Sequence, residues 1–201
     1  MWAAAGGGEP IVLSADQGAV FGVAFSLDGQ RVVSAGEDGT VRVWEWAGGG
    51  QPIILRGHKD HVTSAAFSPD GRQVVSAGVD GTVRVWTWAG GASPVVLRGH
   101  QGIVGSVAFS PDGHLVVSAG NDGTVRVWTW AGGGGTPVVL RGHQGIVNSA
   151  AFSPDGRLVV SAGQDGTMRC GRGPGAANRW WCAAMWVRWA ARLSRLTVGG
   201  W

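Results

Sequence analysis

The chain has 201 residues, with 37 Gly, 12 Trp, no Tyr and only 14% charged residues, a skew that points to repetition instead of ordinary mixed composition. Hydrophobic residues at 44% exclude wholesale disorder, and no uncharged apolar run approaches the roughly 18 residues of a membrane-spanning helix. The net charge of +3 is unevenly placed: residues 1–168 carry ten Lys and Arg against thirteen Asp and Glu, whereas residues 169–201 carry six Arg and no acid, so the basic character belongs to the tail.

Residues 1–9 lack the basic and apolar regions of a secretory signal, and a cytoplasmic location is expected. Counted back from Pro10, Met1-Trp2 falls in the register of Val43-Trp44, and Gly6 to Pro10 in that of Gly48 to Pro52. Residues 1–9 therefore read as the remnant of an upstream repeat, and Ile11 to Leu13 as an orphan outer strand. From there Phe25, Phe67, Phe109 and Phe152 recur 42, 42 and 43 residues apart. Between Pro94–Arg126 and Pro137–Arg169, 28 of 33 positions are identical, which makes each span a copy of one supersecondary unit.

Within a unit, Val95 to Arg98 is a short apolar strand, and Ile103 to Phe109 a second, with Val104, Val107 and Phe109 expected to be buried. Ser110-Pro-Asp-Gly113 is a turn, Leu115 to Ala119 a strand covered on both faces, and Asn121-Asp-Gly123 a tight turn into Thr124 to Trp130. Four-stranded antiparallel sheets are expected over Val20 to Arg56, Val62 to Arg98 and Val104 to Arg141, with a fourth begun at Val147 and broken after Arg169.

Gly57-His58, Gly99-His100 and Gly142-His143, each followed by F-S-P-D-G, S-A-G-x-D-G-T and, in the second and third units, V-R-V-W, resemble the WD-repeat β-propeller family over residues 10–169. The resemblance implies an all-β fold, an incomplete propeller of three full four-stranded blades plus a partial fourth, followed by a non-propeller tail. Three departures stand out. The structural Trp is followed by Glu45, Thr87 or Thr129 and not Asp; Asp16 stands where the other units have His; Gly171 stands where the fourth unit should have Trp.

Ser, His and Asp recur in each regular unit, which raises a hydrolase reading. Catalysis would need one exposed Ser beside an oxyanion site, and repetition argues for scaffolding. By the resemblance, His58, Ser76, Asp80 and Trp86, and again His100, Ser118, Asp122 and Trp128, form buried hydrogen-bonded tetrads. No catalytic residue, metal or cofactor is expected: the Gly tracts lack the Lys of a phosphate loop, and Cys170 and Cys182 are too few for a zinc site. Arg42, Arg84 and Arg126 read as a solvated face beside Asp and not as a nucleic-acid path, because no aromatic platform interleaves with them.

Binding residues are expected where near-identical units differ. These positions are Ala19, His61, Ile103 and Ile146; Phe21, Thr63, Gly105 and Asn148; and Glu37, Val79, Asn121 and Gln164. In the resembling family such positions rim a face that holds peptide partners, so a scaffold for a protein or peptide is the expected function, with no nucleic acid and no membrane for the propeller itself. An arc with bare end blades is also expected to self-associate as a dimer or larger.

Residues 170–201 carry neither turn motif nor strand alternation. Restoring a single base after the Arg169 codon permits the reading V-W-T-W-A-G-G-G, the missing repeat, so the tail is expected to be a frameshifted continuation that the nucleotides at codons 169 and 170 would decide. The alternative is a cationic, Trp-rich helix over Arg179 to Val198, with Arg188, Arg192 and Arg195 on one face, that lies on a membrane surface.

Overall fold

A computed structural model describes residues 11–14, 18–45 and 50–172. Fifteen strands build four antiparallel sheets with no helix among the described residues. The first sheet runs β1 (Val20–Phe25), β2 (Arg31–Gly36), β3 (Thr40–Glu45) and β4 (Ile53–Arg56); the second β5 (Val62–Phe67), β6 (Gln73–Gly78), β7 (Thr82–Thr87) and β8 (Val95–Arg98). The third comprises β9 (Val104–Phe109), β10 (Leu115–Gly120), β11 (Val125–Thr129) and β12 (Val138–Leu140), one residue shorter than expected. The fourth is three-stranded: β13 (Val147–Phe152), β14 (Leu158–Gly163) and β15 (Met168–Arg172). Strand order follows chain order in every sheet, so each repeat is a meander whose short turns leave no crossover.

The first hairpin of each sheet is closed by side chains as much as by backbone. In the third sheet Gly113 N donates to Ser110 O at 2.9 Å, Ser110 Oγ donates to Asp112 Oδ1 at 2.5 Å, and His114 N and Leu115 N donate to Asp112 Oδ1 and Ser110 Oγ. Ser26 and Asp28 repeat this with Leu27 in place of Pro, so Pro is dispensable where Ser and Asp already fix the corner.

The innermost strands β1, β5, β9 and β13 contact one another in succession. Each junction between sheets is an apolar layer. Val75, Ala77, Val83, Val85 and Leu97 of the second sheet pack on Val104, Val107, Val116 and Trp128 of the third. Val33, Ala35, Val41 and Val43 pack in the same way on Val62, Ala65, Val74 and Trp86. At the third junction Val117, Ala119, Val125 and Val127 meet Val147, Ala150 and Val159, with no Trp in the layer. The Trp of each following sheet thus fills the junction behind it, and Gly171 leaves the last one without its largest filler.

Four expectations are corrected. Of the three residues of β9 expected to be buried, Val104 and Val107 are, sharing one face because a bulge at Gly105 shifts the register between them, whereas Phe109 is only half-buried. Ile11 to Leu13 is not a strand; the segment lies against β1, where Ile11 and Leu13 border a 260 Å³ groove with Val23, Phe25 and Val32. The fourth sheet does not stop at Arg169: Cys170, Gly171 and Arg172 continue β15 in register with Val160, Val159 and Leu158. Ladder hydrogen bonds are made by backbone, so the loss of the repeat's side-chain pattern does not at once end the pairing. The strand arginines, finally, are not a solvated face: Arg42 and Arg84 are buried and Arg126 is half-buried. Residues 1–10, 15–17, 46–49 and 173–201, with the expectations placed on them, including Asp16, lie outside the described residues.

Candidate functional site

Two constellations recur, one inside each blade and one on its face. The inner one begins with Trp128, whose indole can only donate. Its Nε1 reaches Ser118 Oγ at 2.8 Å. Ser118 has a single proton left, and His100 Nε2 lies 2.8 Å from the same oxygen. Asp122 can only accept, so His100 Nδ1, 3.1 Å away, carries the ring proton and donates to it, and in the neutral ring Nε2 accepts from Ser118 Oγ. Asp122 also accepts from Gln101 N at 3.0 Å and from Thr124 Oγ1 at 2.7 Å. Trp86, Ser76, His58 and Asp80 repeat the chain with distances of 2.8, 2.8 and 3.1 Å. Ser76 and Ser118 are wholly enclosed, so neither hydroxyl meets solvent or a substrate.

The directed proton chain requires neutral imidazole. Burial pushes His58 and His100 below the usual 6.5, more than Asp80 and Asp122 raise them. Burial alone would raise the two carboxyls; the hydrogen bonds from Lys59 N and Thr82 to Asp80, and from Gln101 N and Thr124 to Asp122, outweigh it and hold both at about 2.

The units that depart from the pattern show how the network tolerates loss. In the first, Trp44 Nε1 still donates to Ser34 Oγ at 2.9 Å, and Arg42 Nη2 closes to 2.9 Å from Asp38. The corresponding pairs stand at 3.9 Å for Arg84 and Asp80 and 3.5 Å for Arg126 and Asp122. In the fourth, His143 keeps Ser161 at 2.9 Å and Asp165 at 3.1 Å without a Trp. Without the Trp, the His143 side chain is slightly more open, at 3% against 0% for His58 and 1% for His100, and Ser161 opens to 7% against 0% for Ser118. One requirement was legible only in space: a Cβ on Gly78 would stand 2.7 Å from His58 Nδ1, and one on Gly120 would collide with His100. The S-A-G glycine is there because the imidazole lies on it.

The outer constellation gathers twelve of the positions at which the repeats differ. In every unit the second strand-to-strand turn folds back on the entry to the inner strand, so Glu37 N donates to Ala19 O, Val79 N to His61 O, Asn121 N to Ile103 O and Gln164 N to Ile146 O, at 2.8 to 2.9 Å. Two residues further on, Phe21, Thr63, Gly105 and Asn148 each occupy the bulge of β1, β5, β9 and β13. A bulge re-aims one side chain out of the pleat, so the variable residue can change without disturbing the ladder. Units are also joined here: His61 Nδ1 bonds Glu37 O, the Phe21 and His61 rings lie 6.0 Å apart, and Thr63 Oγ1 donates to Val104 O at 2.5 Å. Phe21, Glu37, Asn121, Asn148 and Gln164 are exposed, and His61, Thr63, Val79, Ile103 and Ile146 are half-buried.

The opposite end of the inner strands holds a feature that the repeat reading passed over. Phe25, Phe67, Phe109 and Phe152, with Pro69, Pro111 and Pro154, surround a cavity of about 490 Å³. The constant Phe period is the one trace of this lining in the sequence, and it serves equally as the mark of the repeat. Among the described residues no group of three or more His, Cys, Asp or Glu could hold a metal, and no helix is long and apolar enough to cross a membrane.

Radial antiparallel four-stranded sheets, joined through their inner strands and pinned by Trp-Ser-His-Asp chains, define a β-propeller repeat protein. The family described as WD domain, G-beta repeat matches four times, over residues 9–45, 50–87, 91–129 and 135–170. The chain belongs to the WD-repeat family. A search of the curated proteins finds none that matches.

Proposed function

We propose that this chain is a non-catalytic scaffold that holds a protein or peptide partner on the face formed by the bulges and the aspartate-glycine turns. One observation carries the reading: twelve of the positions at which the repeats differ lie together at one end of the inner strands, where each blade repeats the same turn-to-strand hydrogen bond and the first two blades are linked from Phe21 through His61 to Thr63. Aromatic, imidazole and amide groups on a rigid sheet end supply the rim chemistry of peptide recognition. The enclosed serines argue against hydrolysis, since nothing lets a substrate reach them.

Peptides selected from a random display library on the full chain test this. Phe21→Ala, His61→Ala and Asn121→Ala should each weaken the selected peptides at least about tenfold, the cost of a side chain worth about 1.4 kcal/mol, while each variant keeps a cooperative melt. Peptides insensitive to all three substitutions, or lost on Leu27→Ala at the opposite end, would defeat the proposal.

A further inference from the structure

Each junction between blades is made from the same two halves. The back half is the second and third strands of one blade, as in Val33 and Val41, Val75 and Val83, or Val117 and Val125. The front half is the first strand of the next, as in Val62 and Ala65, Val104 and Val107, or Val147 and Ala150. All twelve residues are buried. The first and fourth blades present one half each without this cover. Val20 and Val23, the front pair, are 47% and 69% exposed, and Val160 and Met168, the back pair, 41% and 71%.

Backbone contacts give the same answer. A Cβ on the turn glycines Gly39, Gly81 and Gly123 would meet the carbonyls of Asp60, Gly102 and Gly145 in the following blade at 3.2, 3.2 and 3.1 Å. Their positive φ of 74 to 76° already restricts these sites to glycine. Gly166 has the same φ of 74°, yet nothing lies within 4 Å of it. Gly18 occupies the position of Asp60, Gly102 and Gly145. The two bare faces are therefore complementary sides of an interface that this chain already builds three times.

We propose that the back of the fourth blade docks on the front of the first blade of a second copy. Val160 and Met168 then cover Val20 and Val23, and Gly166 lies against the Gly18 carbonyl. The contact is heterologous, so it propagates unless symmetry closes it. Two copies of four blades related by a two-fold axis close a ring of eight, within the range of propellers. The occupant is a second copy because continuity with the three internal junctions specifies its shape residue by residue.

Sedimentation of the full chain tests the proposal. The expected particle has twice the 20.7 kDa of one chain. Val23→Glu and Met168→Glu lie on opposite halves and are exposed, so each should fold with a cooperative melt and sediment as a monomer; Val20→Glu and Val160→Glu serve if either fails to fold. A monomeric full chain overturns the proposal. So does a dimer that survives Met168→Glu, which would be front-to-front, or one that survives Val23→Glu, which would be back-to-back or held by the tail. A ladder of growing masses overturns the two-fold closure.

Discussion

Trp128 gives its indole proton to Ser118 at 2.8 Å while its ring fills the layer between its own blade and Val83 and Val85 of the blade before it. One residue thus fixes a hydrogen-bond direction within a sheet and a packing distance between sheets. The energetic consequences separate by which half of that role is removed.

Asp122→Ala removes the acceptor for His100, Thr124 and Gln101 N together. Each stranded group costs about 1 to 3 kcal/mol when buried, and His100 and Thr124 are both buried. A loss of about 2 to 6 kcal/mol in thermal or urea unfolding is expected. Asp122→Asn, which keeps the shape and some acceptance, should lose less.

Arg42→Ala should destabilise more than Arg84→Ala. Asp38 has Arg42 at 2.9 Å, whereas Asp80 keeps His58 at 3.1 Å and holds Arg84 only at 3.9 Å. Breaking a close, partly buried ion pair strands the carboxylate. Equal melting temperatures for the two variants would contradict this assignment.

Acid should unfold the chain in two stages. His58 and His100 sit below 6.5 in the fold, so the unfolded chain binds protons first, and stability present above about pH 6.5 falls as pH drops from there. Asp80 and Asp122 at about 2 have the same sign: stability present above 3.8 is lost as pH falls toward 2. Melting temperatures recorded from pH 8 to pH 2 should decline in both windows. His100→Gln should flatten the upper one.

Gly171→Trp should repair the fourth blade. Gly171 is buried opposite Val159, in the place that Trp86 and Trp128 hold in their sheets, and Ser161 offers the acceptor. A buried Trp adds about 2 kcal/mol, or roughly 5 °C in a chain of this size. Hydrogen exchange should show β13 to β15 opening first in the native chain and more slowly in the variant. A lower melting temperature would mean that the third junction is closed differently from the other two.

The repeat itself was legible because one period carried turn chemistry, strand propensity and burial together. Ser110 and Asp112 close a corner using only neighbours in the chain, and Val116 and Val117 form a strand that must be covered on both faces. The Arg positions were misread for a physical reason: Arg84 lies four residues after Asp80 in any conformation, but only the closing turn and the next strand decide whether that pair faces water or the sheet.

Composition, period and turn residues by themselves determined four units of meandering strand, the pairing partners within each unit, and the positions at which units differ. These are local properties, set within about forty residues of chain and fixed by the need to pair backbone groups and bury valines on short strands. Tertiary structure alone decided the rest. The bulge places Phe21, Thr63, Gly105 and Asn148 at one end of the inner strands, the His100 ring forbids a side chain on Gly120, and Val20, Val23, Val160 and Met168 are left exposed while their repeats are buried. Each depends on what stands in the neighbouring strand or blade, and identical side chains acquire different environments only when such neighbours are present or absent.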